Sequence, residues 1–244
     1  MTEAEWLACD NPREMITRMC LWERHTFTEL RLSLGLLRAS KTERRYRLFA
    51  CGCMRLTWHL LDYGPGRRAV ELAEQYVDGN ESFHALLTVR REIEQSANLG
   101  WTYRVARLLR VETDAVRSPA VGIGVTQHLA RLAAYKAVSE AAELLIADNL
   151  DDLRRPGALL SNVFRDIFGN PFRPVVFSPA WRTETAITLA HQMYDSRDFS
   201  LMPILADALQ DAGCENEHIL NHCRDTEAKH VRGCWVVDLV LGKE

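Results

Sequence analysis

TERRYRLFACGCMRLTWHLL, residues 42–61, spaces its larger apolar side chains three and four apart: Tyr46, Phe49, Cys53, Leu56 and Leu60. That is the period of one face of an α-helix, not the alternation of a strand. The same spacing recurs through most of the chain and decides the fold class. The expectation is an all-α protein, a multi-helix bundle of helical hairpins in one body. Asp62-Tyr63-Gly64-Pro65-Gly66 closes the segment with turn chemistry. Residues 67–77 and 81–97 then predict a helical hairpin bent at Asp78-Gly79-Asn80.

Working outward, MTEAEWLACD sets Thr2 three residues before Glu5, a capping box in which side chain and backbone satisfy each other's orphan amides. Asn11-Pro12 ends that first helix. From Ala120 to Asn149 an Ala-dense helix is expected, with Leu129, Leu132, Ala133, Ala137, Ala141 and Leu144 facing inward. Its small residues favour close helix–helix approach. CWVVDLVL, residues 234–241, is rich in β-branched residues yet predicts a core helix, because Gly242 suits its cap.

One segment breaks the helical pattern. NPFRPVVFSPAW, residues 170–181, holds Pro171, Pro174 and Pro179, each removing an amide donor and pushing its predecessor toward extended geometry. It predicts an extended Pro-rich strap, and its apolar residues Phe172, Val175, Val176, Phe177 and Trp181 should be packed down. One domain over 1–244 is therefore expected, with 1–169 and 170–244 as the subdivision the strap would mark.

Composition excludes several classes. The chain has 244 residues, 47% hydrophobic and 26% charged, which is neither disordered nor fibrous. Residues 1–118 carry 18 basic against 16 acidic side chains, and residues 119–244 carry 12 against 17. Neither half has the basic excess of a nucleic-acid footprint. The basic run with Arg38, Lys41, Arg44, Arg45 and Arg47 includes Glu43 and predicts a solvated helix face. No apolar stretch reaches the ~20 residues of a spanning helix. The acidic amino terminus does not resemble a signal peptide, and seven cysteines are an odd number with no disulfide framework, so thiols in a cytoplasm are expected.

MTEAEWLAC, RDIFGNPFRPV, PAWRTET, PILADALQDAGC, HCR and HVRGCWVVDLVLGKE together resemble a paralogue-rich, planctomycete-type bacterial family of uncharacterised proteins. The resemblance covers both ends and the strap, not residues 85–150. His222, Cys223, His230 and Cys234 belong to the shared pattern, whereas His218 does not. It implies no established activity, cofactor or catalytic residue.

Candidate sites lie near the carboxyl end. Gly213 closes the helix PILADALQDA, and a short helix from Cys214 carries His218 and His222 four residues apart, the spacing that lets two imidazoles share a zinc ion. Eight residues of straight helix would separate Cys214 from His222 by ~12 Å, so Cys214 must bend back from a loop to join them. His230 and Cys234 repeat the four-residue separation. The candidate metal set is two of Cys214, His218 and His222 with His230 and Cys234. The alternative is that the cysteines are small apolar fillers and the histidines bond locally. Cys51 and Cys53 sit about 200° apart on a helix and cannot bridge. Phe172, Arg173, Phe177, Trp181 and Arg182 on the strap are candidate contacts for a protein partner.

No GxSxG, HExxH, P-loop or GxGxxG pattern is present. The expected function is a non-catalytic cytoplasmic protein-interaction or regulatory module without cofactor. The alternative is a zinc-binding protein, structural or hydrolytic, built on the carboxyl-terminal His/Cys cluster.

Overall fold

The computed structural model of the protein describes residues 1–30, 39–60, 65–95, 123–148 and 155–243. Among them are 11 α-helices, packed against one another, and no strand. The fold is all-α. Two compact units are present, Met1–Ser161 and Asn162–Glu244, and the division falls inside a helix, not in the strap.

The first unit contains α1 (Glu3–Ala8), α2 (Pro12–Leu30), α3 (Ala39–Leu56), α4 (Pro65–Val77), α5 (Phe83–Gln95), α6 (Ile123–Asp148) and the first half of α7 (Arg155–Phe168). Thr2 and Glu5 make the capping box, the Thr2 amide donating to Glu5 Oε2 at 2.7 Å and the Glu5 amide to Thr2 Oγ1 at 3.2 Å. Asn11 both follows α1 and starts α2, because its Oδ1 accepts from the amides of Arg13 and Glu14 while Pro12 needs no partner. Helices α4 and α5 form the hairpin expected around Gly79.

Helix α3 differs from its sequence reading in two respects. It stops at Leu56, where the Thr57 hydroxyl and amide both donate to the Met54 carbonyl, and a short 3₁₀ turn follows at Trp58–Leu60. Burial is also not confined to the stripe of Tyr46, Phe49 and Cys53. Every residue from Tyr46 to Met54 is buried, since Ala50, Cys51 and Gly52 are small enough to let a second partner approach. That partner includes α6, whose Ala133, Ala137, Ala141 and Leu144 are buried as expected. Leu132 is 38% exposed, contrary to expectation, and Leu129 lies outside the residues whose side chains are described.

A tight spot joins α7 to the α1–α2 connection. A Cβ added at Gly157 would land on the Asp10 carbonyl oxygen. Alanine favours a helix by about 1 kcal/mol over glycine, but the obstacle is backbone and cannot swing aside. Gly157→Ala is therefore expected to destabilise the first unit by a net ~1–2 kcal/mol, overpacking outweighing propensity, read as a lower unfolding temperature of its helices.

The second unit holds the end of α7, the strap, α8 (Glu184–Ser196), α9 (Met202–Asp211), α10 (Glu217–Arg224) and α11 (Trp235–Leu241). Residues 169–178 are non-helical, as three prolines require, and Ser178 caps a 3₁₀ turn at Pro179–Trp181. Val175, Phe177 and Trp181 pack against the core of this unit. Val176, expected to be packed down, is 88% exposed, because consecutive side chains of an extended chain point opposite ways. CWVVDLVL is a buried helix in spite of its β-branched residues, closed by Gly242 in the left-handed region.

Candidate metal centre

Four side chains of the second unit converge: Asp166, His222, His230 and Cys234. Asp166 projects from the last turn of α7, whose Leu160, Val163, Phe164 and Ile167 are buried. Gly169, with φ +69°, ends that helix as its amide returns to the Arg165 carbonyl. A side chain there would meet the Trp235 ring, 3.5 Å from the position of a Cβ.

His222 comes from α10. Asn216 caps this helix through the amides of His218 and Ile219, and Ile219, Leu220 and Cys223 bury one face. At 100° per residue, the centre of that buried arc lies about 105° from His222 and about 145° from His218. His222 thus sits at the edge of the buried face and His218 farther round the helix from it. The His218 ring meets the strap instead, its Nε2 2.9 Å from Arg173 Nη1.

His230 and Cys234 are four apart, yet not on a helix. Between them lies a turn in which the Cys234 amide donates to the Val231 carbonyl, with Gly233 at φ +94°. A residue with a Cβ is strained there, so the glycine lets the chain fold His230 and Cys234 back on each other. Cys214 is buried in the same unit but is no member of the cluster.

Asp166 Oδ1 lies 2.7 Å from His230 Nδ1 and 3.3 Å from His222 Nε2. Cys234 Sγ lies 3.2 Å from His222 Nε2 and 3.9 Å from His230 Nδ1. All four donor atoms are within 4.8 Å of one another. Bonds of about 2.0–2.3 Å to zinc in a tetrahedron give donor–donor edges of about 3.3–3.7 Å. The observed separations bracket that range. Asp166 Oδ2 is occupied separately, accepting from the Val231 amide at 2.9 Å.

The electrostatics suit a cation. Burial pushes the Asp166 carboxyl up, but hydrogen bonds from His222 and His230 more than offset it and hold the group at about 2. Burial, and then the charge of Asp166, push the Cys234 thiol well above its usual value. Cys223 is raised to about 12 by burial and the same charge. An electron-pair acceptor in the cluster would favour the thiolate that burial disfavours. Around the centre, the His222 ring lies 5.1 Å from that of Trp235, and the His230 ring 6.2 Å from that of Phe199. His230 Nε2 is buried with no hydrogen-bond partner among the described residues.

Asp166 was absent from the sequence-derived set. Its signal was a carboxylate in the last turn of an apolar-faced helix, where the macrodipole disfavours negative charge and a nearby positive group is needed.

The strap residues make contacts within the protein. Arg182 donates to the Leu239 carbonyl at 2.9 Å and lies over the Phe177 ring, which stacks edge-on against Trp181. Phe172 is half-buried, and its amide donates to Asn170 Oδ1. In the first unit, Arg44 pairs with Asp78 and Arg47 with Glu43. Arg38 and the side chain of Lys41 lie outside the described residues. No described helix is long and apolar enough to cross a membrane.

No family model, curated protein or solved structure matches the chain.

Proposed function

We propose that the chain is a non-catalytic metal-binding protein, holding a zinc-class divalent ion between Asp166, His222, His230 and Cys234. One observation carries the reading: the same nitrogen of each histidine faces both the carboxylate and the sulfur. A thiol triad needs the opposite arrangement, in which one ring nitrogen takes the thiol proton and the other is held by the acid. Donors that all aim at one point suit an ion at that point. A thiolate among the donors favours zinc or cobalt over magnesium or calcium.

The set also resembles a structural centre more than a hydrolytic one. Four protein donors fill a tetrahedron, whereas catalytic zinc keeps a position for water. Only His222, at 19% side-chain exposure, reaches toward solvent, while Cys234 is fully buried.

Protein purified without added metal is expected to carry about one equivalent of zinc by elemental analysis. Exchange for cobalt should produce a thiolate charge-transfer band that Cys234→Ala abolishes. Zinc below roughly a tenth of an equivalent, with none taken up on dialysis, disposes of the reading.

A further inference from the structure

Between α10 and α11 the chain runs from Asp225 to Cys234 without helix, and its two halves differ. Asp225, Thr226, Glu227 and Lys229 are exposed, whereas Val231, Arg232, Gly233 and Cys234 are buried. His230 and Cys234 bracket that buried half. Both face donor atoms on separate helices, Asp166 on α7 and His222 on α10. The segment therefore supplies two of four candidate ligands, and the helices it lies against supply the other two.

Resting on the metal reading above, we infer that the ion is a lock on residues 225–234. It ties His230 and Cys234 to α7 and α10, so that the segment lifts from the helices only when the ion leaves. Contacts that need no ion compete for this role, beginning with the His230–Asp166 and His222–Cys234 contacts at 2.7 and 3.2 Å. Asp166 Oδ2 accepts from the Val231 amide, and the Arg232 guanidinium lies 4.3 Å over the Tyr194 ring. If these suffice, opening is indifferent to metal. If the ion is the lock, mass action dictates the response: the open population falls by the factor 1 + [metal]/Kd, about 100-fold at free metal near 100 Kd.

Lys229 makes this measurable. Its side chain is exposed, but trypsin must also take up the residues after the scissile bond, and His230–Cys234 are held inward. Arg197, half-buried in the turn after α8 between exposed Ser196 and Asp198, is an internal reference in the same unit. The full-length protein is digested over a zinc titration, with bound zinc measured in parallel and both cleavages followed by mass spectrometry. The expected result is cleavage after Lys229 slowing about 100-fold by 100 Kd while cleavage after Arg197 stays constant.

His222→Ala removes the α10 ligand yet leaves Asp166, Val231 and Arg232 in place. It should move the protecting zinc concentration up by at least about tenfold. Zinc that binds without altering the Lys229 cut overturns the lock and leaves the metal reading standing. Equal acceleration at Lys229 and Arg197 on chelation also overturns it, because the ion would then hold the whole unit. Absence of bound zinc overturns both.

Discussion

Asp166→Ala is expected to abolish metal retention and to destabilise the second unit by about 3–5 kcal/mol, the cost of removing one partner from a buried charged cluster. Among the described residues the carboxylate contacts His222 and His230 through one oxygen and the Val231 amide through the other. Alanine leaves that amide without the Asp166 acceptor and removes the only carboxylate of the cluster. Asp166→Asn separates the two effects. Its side-chain oxygen can still accept from Val231, whereas the charge that balances a cation is gone. The amide variant should therefore keep most of the stability in chelator while losing most of the affinity. With two units in the chain a single unfolding midpoint is not well defined. Amide exchange in α10 and α11 under mild denaturant is the suitable measurement. Wild-type exchange rates for Asp166→Ala would refute the assignment.

The all-α class could be read from residue spacing, because a helix writes its buried face into the sequence every three or four residues. Tyr46, Phe49 and Cys53 are buried on α3 as that rule requires. What spacing does not record is how many neighbours a helix has. Ala50, Cys51 and Gly52 carry little hydrophobic signal, yet they turn α3 from a surface helix into a central one.

The metal site divides in a similar way. His222, His230 and Cys234 stand out because histidine and cysteine are scarce and lie within 13 residues of one another. Asp166 lies 56 residues before His222, one of 33 acidic residues, and joins the others only through tertiary packing. His218 has the right spacing to His222, but spacing describes the helix and not its rotation about its axis. That rotation is set by Ile219, Leu220 and Cys223.

The second large effect belongs to the first unit. Arg55→Met is expected to cost about 3 kcal/mol, although methionine preserves much of the arginine stem. Arg55 on α3 grips Glu74 on α4 through two bonds of 2.9 Å, and the Glu74 side chain is only 1% exposed. The guanidinium also lies 3.8 Å from the centre of the Trp58 ring. Methionine can keep a contact with that ring, so the loss is chiefly electrostatic. It leaves the Glu74 charge in a buried site without its Arg55 counter-charge. Arg55→Met combined with Glu74→Gln should then be more stable than Arg55→Met alone, since the second change removes the stranded charge. A double-mutant cycle is expected to give a coupling of at least ~1 kcal/mol, read by amide exchange in α3 and α4. Additive losses would mean that the pair contributes packing and not charge.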